Sequence, residues 1–185
     1  MGLDKAKLAW QGRELWRLQL DKLNQLGARH IFISVRKEQK LHEQVPGPQR
    51  DEKWLFDPPD EDLGPIGPIH RALMLAEMPI LVLAVDMPLM TTGFMRDHLL
   101  QHVGTGMGFV FQTSQGLEPL AALYHPAMVP LITRCVAEGR TGLQSMLHNA
   151  IDLGMAICES IPSSEEHYFE NINTPDVWEK MKAGC

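Results

Sequence analysis

The sequence contains no apolar run of membrane-spanning length. Its longest, Pro79-Ile80-Leu81-Val82-Leu83-Ala84-Val85, is the length of a buried strand. No basic, apolar, small-residue leader opens it, so the expected setting is cytoplasmic, with no membrane partner. Cysteine is scarce: Cys135, Cys158 and Cys185 are far apart and odd in number, which excludes a disulfide framework and a CxxC metal site. A basic excess is absent too. The net charge of −6 argues against a nucleic-acid partner held on a positive surface. Ser145, Ser163 and Ser164 lack the flanking glycines of a nucleophile elbow. Among the eight histidines, His98 and His102 could share one helix face, but no carboxylate motif accompanies them. Internal repeats, low-complexity tracts and long linkers are missing, so residues 1–185 are expected to form a single domain.

What is present is an alternation of helical and strand patterns. Leu15, Leu18, Leu23 and Leu26 mark a helix over Gly12–Gly27, stopped by glycine. Strands are expected at Ile31–Val35, Trp54–Phe56, Ile80–Val85, Gly108–Gln112, Leu120–Tyr124 and Ala156–Ile161. Helices are expected at Ile69–Glu77, from Thr91/Thr92 to about His102, and over Pro126–Glu138, Thr141–Leu153 and Pro175–Lys182. The Pro-, Asp- and Gly-rich stretch Asp57–Gly67 reads as loop. Ile80–Val85 reads as a strand buried on both faces. The pattern predicts an α/β sandwich with a mainly parallel sheet.

In open α/β sheets, ligands gather at the carboxyl ends of strands. Asp57 and Asp86 stand at two such ends, where a carboxylate suits a Mg²⁺ ion bridging phosphates or simply caps a turn. Lys5 fits a phosphate ligand near a helix start, or a solvated lysine. Gly64-Pro65-Ile66-Gly67-Pro68-Ile69, which opens an expected helix, is either a rigid turn or a close approach of backbone to a ligand. Asn171-Ile172-Asn173-Thr174-Pro175 either caps the last helix or orients phosphate and metal-bound water.

Four islands, in order along the chain, resemble the molybdenum cofactor guanylyltransferases, MobA-like nucleotidyltransferases with a Rossmann-like three-layer fold. They are Met1-Gly2-Leu3-Asp4-Lys5-Ala6-Lys7-Leu8, Asp57 with Gly64-Pro65-Ile66, Asp86-Met87-Pro88 with Glu118 to Tyr124, and Asn171-Ile172-Asn173-Thr174-Pro175. The resemblance implies transfer of GMP from GTP to the terminal phosphate of molybdopterin, with release of pyrophosphate. It further implies that Asp86 holds Mg²⁺, that Lys5 contacts the nucleotide phosphates, that Gly2 and Asp57 help bind the nucleotide, and that Asn171 and Asn173 lie near the cofactor phosphate and metal. A molybdoenzyme or a cofactor-delivery protein is the implied further partner. A cytidylyltransferase or other nucleotidyltransferase of the same fold is the alternative within enzymes; a non-catalytic molybdopterin-binding relative is the alternative outside them. Three departures stand out: Pro68 in place of the family's second glycine, Arg71 on the following helix, and Arg36 where the family often has Asn. Met1 matches a methionine that is internal in the family's Arg-Met-Gly segment. The resemblance therefore implies that the first strand and the glycine loop are lacking, leaving Ile31–Val35 and Ile80–Val85 without a shared neighbour.

Overall fold

A tight two-residue hairpin turn leads into the first α-helix. Strand β1 (Ala9–Trp10) pairs antiparallel with β2 (Arg13–Glu14), joined by Gln11 and Gly12 at φ 48° and 79°. Positive φ at both central residues is what a tight turn of this twist requires. The computed structural model describes residues 4–36, 39, 41–44, 52–58, 63–172 and 178.

Helix α1 (Leu15–Gln25) follows directly, shorter at both ends than Gly12–Gly27. Its buried side chains are Leu15, Trp16, Gln19 and Lys22, whereas Leu18, Leu23 and Leu26 are only half-buried. Two polar residues thus occupy the core face that leucines were expected to fill.

Strand β3 (Ile31–Val35) pairs parallel with β4 (Glu52–Phe56) in a sheet of their own. Helix α2 (Ile66–Ala76) starts three residues before the expected Ile69. Strand β5 (Ile80–Leu83) belongs to a second sheet with β6 (Gly108–Thr113), β7 (Gly116–Tyr124) and β8 (Ala156–Ser160), in the order β5-β7-β6-β8. The β6–β8 ladder is parallel; β7 runs antiparallel to both β5 and β6. Residues 114 and 115 alone connect β6 to β7, and so short a link permits only antiparallel pairing. The sheet is therefore mixed.

Two apolar layers sandwich that sheet. On one face Val110, Ala122 and Tyr124 pack on Ile66, Ile69 and Leu73 of α2, on Leu131 and Ile132 of α4 (Val129–Ala137), and on Met146 and Leu147 of α5 (Leu143–Asp152). On the other face Phe109, Phe111, Ala121 and Leu123 meet Phe94 and Met95 of α3 (Thr92–His98). Alternate residues of β6 and β7 point to opposite faces, as the strand pleat demands. Thr91 caps α3 by accepting the Phe94 N–H at 3.1 Å, and a 3₁₀ turn (Leu100–His102) completes the expected helix.

All four residues of β5 are half-buried, so the expectation of burial on both faces is corrected. The physical reason lies in its edges. β5 pairs with β7 on one side, and neither it nor β3 has a second strand neighbour among the described residues. The two halves meet through side chains instead: Val85 packs against Ala6, Trp16 and Val35, and also against Trp10, Leu15 and Ile172. The expected helix Pro175–Lys182 lies outside the described residues apart from Trp178, whose ring centroid is 5.5 Å from that of Trp10.

Candidate functional site

Asp86 leaves the carboxyl end of β5 in a turn whose carbonyls have no ladder to join. Side chains and a distant amide take them up instead. The Gln19 amide donates to Ala84 O at 2.9 Å and to Met87 O at 2.8 Å. Lys22 Nζ donates to Pro88 O at 2.9 Å, and the Ile172 N–H to Asp86 O at 3.0 Å. Buried backbone acceptors need such partners, and here they come mostly from α1.

Lys5 opens a 3₁₀ turn (Lys5–Lys7) capped by Asp4, whose Oδ1 accepts from the Ala6 N–H at 3.1 Å and from Gln39 at 3.0 Å. From this turn Lys5 Nζ reaches Asp86 Oδ2 at 2.9 Å, across a sequence separation of 81 residues. The side chains are 33% and 18% exposed, so the pair is screened in part yet open to solvent. Asn171 precedes Ile172 and is half-buried beside this turn's tether. Thus the structure gathers Lys5, Asp86 and the Asn171 segment. Gly2 and Asn173, also expected at the site, lie outside the described residues.

Asp57 sits in a second group. Its Oδ1 accepts from Arg71 NH2 at 2.9 Å, and the two residues line a cleft of about 160 Å³ with Arg36, Leu63, Gly64 and Gly67. Gly64 adopts φ 55°, a conformation that favours glycine. A Cβ on Gly67 would stand 3.1 Å from Leu63 Cβ and 3.4 Å from the Arg71 guanidinium, so glycine here makes room for Arg71. The buried Arg71 Nε has no partner among the described residues. The cleft therefore offers one carboxylate and donors from two guanidinium groups, a set suited to the polar edge of a base or to an anionic oxygen.

Burial perturbs two further groups. It lowers the Lys22 ammonium from 10.5 to about 8. It also raises Glu118, against the Thr113 hydroxyl that donates to it at 2.9 Å and with the charge of Glu166 adding to the rise. The two histidines weighed as metal ligands are otherwise engaged: His98 pairs with Glu159 at 3.1 Å, and His102 stacks on Phe109 with ring centroids 4.0 Å apart. Among the described residues there is no cluster of three or more His, Cys, Asp or Glu able to hold a metal, and no helix is long and apolar enough to cross a membrane.

Sequence reasoning missed Gln19 and Lys22. A signal existed: Leu15, Gln19 and Lys22 follow the spacing i, i+4, i+7, so a helix that buries Leu15 also turns these two inward. Arg71 and Arg36 stood out as departures, but their shared cleft depends on α2 folding back over β4.

Comparison with known proteins gives a consistent result. The family model described as the MobA-like NTP transferase domain matches residues 1–153. The chain is 28% identical over 180 residues to a probable molybdenum cofactor guanylyltransferase of Opitutus terrae, covering 95% of this chain and 85% of the relative. Its fold matches the molybdopterin-guanine dinucleotide biosynthesis protein A of Archaeoglobus fulgidus with a TM-score of 0.76 at 20% identity, over 100% of this chain and 91% of that one. It also matches 4-diphosphocytidyl-2C-methyl-D-erythritol synthase of Anaerococcus prevotii, TM-score 0.75 at 10% identity, over 99% and 90% of the two chains.

Proposed function

We propose that this chain, which belongs to the MobA-like NTP transferase family, is a molybdenum cofactor guanylyltransferase. It transfers GMP from GTP to molybdopterin as a single domain, in the cytoplasm. The observation that carries this reading is the 2.9 Å pair between Lys5 and Asp86, which unites the first and third islands of the sequence at the end of β5.

The chemistry needs no protein nucleophile. An oxygen of the terminal phosphate of molybdopterin attacks the α-phosphorus of GTP; the new P–O bond forms as the α–β anhydride bond breaks, and the electron pair leaves with pyrophosphate. Positioning and charge neutralisation supply the rate. The donor set fits a hard divalent cation: the Asp86 carboxylate stands at a strand exit, its backbone fixed on both sides. Mg²⁺ held by Asp86 would supply positive charge to the phosphate oxygens. Lys5 pairs with Asp86, and in this reading its ammonium turns to the phosphates when nucleotide binds. Asp57 accepts from the nucleotide in the neighbouring cleft, and Gly2, Asn171 and Asn173 complete the contacts to phosphate and cofactor.

The direct test is pyrophosphate release from GTP and from CTP with Mg²⁺ and molybdopterin, in the wild type and in Asp86→Asn. Release from GTP that is lost in D86N is expected. Preference for CTP would move the assignment to the cytidylyltransferases. Full activity of D86N would remove Asp86 from the metal role.

A further inference from the structure

We infer that Gln19 and Lys22 are positioning residues that aim the Asp86 carboxylate; this rests on the reading of Asp86 given above. Four carbonyls of the Asp86 turn accept hydrogen bonds from afar, and α1 supplies three of these bonds. Gln19 and Lys22 stand three residues apart on one helix face and are only 5% and 8% exposed. A helix face that only had to fill space would be cheaper to build from leucine, because a buried amide and a buried ammonium both lose hydration. The carbonyls explain the choice. Gln19 uses both amide hydrogens, one on the residue two before Asp86 and one on the residue after it. A flipped amide would set its oxygen against two carbonyl oxygens, so its orientation is determined, and its own oxygen is left buried without a partner.

The consequence is geometric. Ala84, Met87 and Pro88 are held from the α1 side, while the Ile172 N–H holds Asp86 O. The bonds hold the peptide planes that follow Ala84, Asp86, Met87 and Pro88, so the backbone is anchored before and after Asp86 and the direction in which its side chain leaves is confined. Lys5 then meets a carboxylate that is already in place. Supporting residues of this kind tune ligand geometry without touching the ligand.

The test compares Gln19→Leu, Lys22→Met and Lys22→Arg with Asp86→Asn, by Mn²⁺ binding measured by electron paramagnetic resonance in the presence of GTP, alongside kcat and KM. Q19L and K22M are expected to weaken Mn²⁺ binding about 10- to 100-fold and to lower kcat more than they raise KM for GTP. K22R, which keeps a donor, stays closer to wild type. Should Q19L fail to fold, Gln19→Asn keeps the amide but is one methylene short of the two carbonyls, and must show the same weakening. Variants that melt earlier yet bind Mn²⁺ as the wild type does overturn the inference, because the ties would then be structural only. D86N binding Mn²⁺ like the wild type overturns instead the reading of Asp86 on which the inference rests. Loss in D86N beside unaltered Q19L and K22M overturns the positioning role alone.

Discussion

Arg71 donates to Asp57 across 2.9 Å, and that bond ties helix α2 to the end of strand β4. Both side chains are partly exposed, 28% and 36%, so their attraction is screened and contributes about 0–1 kcal/mol to folding. Their placement in the cleft matters more for a ligand than for stability.

Replacing Arg71 by Met should therefore leave the melting temperature within a few degrees of wild type while weakening GTP binding about tenfold or more, the scale of one hydrogen bond to a charged group. Isothermal titration with GTP, beside a thermal melt, separates the two effects. Unchanged GTP affinity would remove Arg71 from the nucleotide site.

Lys22 makes stability depend on pH. Its folded value, about 8, lies below the unfolded 10.5. Below pH 8 both states carry the charge, so the cost of burying it is fully present. As pH rises through 8 the folded lysine loses its proton while the unfolded one keeps it, and stability climbs until about 10.5. The full span is on the order of 3 kcal/mol. Urea unfolding of wild type and Lys22→Met at pH 7.5 and 9.5 should show a gain for the wild type that the variant lacks. Equal pH dependence in both would refute the assignment.

Gly108→Ala tests the packing of the sheet on α4's side. A Cβ there would stand 2.7 Å from Met128 Sδ and 3.0 Å from the Leu123 carbonyl oxygen. The sulfur can move, but the backbone carbonyl is held in the β6–β7 ladder, so a loss of about 1–3 kcal/mol is expected in chemical denaturation.

Chelation should abolish pyrophosphate release from GTP, and added Mg²⁺ should restore it in the wild type. The far-ultraviolet circular dichroism spectrum should stay the same throughout, because no apolar cluster of the fold depends on the carboxylate of Asp86. Activity that survives chelation would count against a metal at Asp86.

Most elements were legible in the sequence because their cues are local. β3 matches its apolar run residue for residue, and Thr91 announces α3 by the chemistry of its hydroxyl. The start of α2 was hidden because Gly64, Pro65 and Gly67 fall in the Asp57–Gly67 stretch that reads as loop, although proline suits the start of a helix. The incomplete burial of β5 was hidden because an apolar run reports what a strand can bury, not which neighbours cover it.

The sequence by itself determined the alternation of helices and strands, the family, and the choice of Lys5, Asp57 and Asp86 as residues worth locating. These rest on short-range pattern and on the order of motifs. Tertiary structure alone decided the rest: that Lys5 meets Asp86 across 81 residues of chain, that Arg71 meets Asp57, and that Gln19 and Lys22 hold the Asp86 turn. A turn at a strand end leaves carbonyls unpaired, and which distant donors satisfy them is known only once the helix has packed against it.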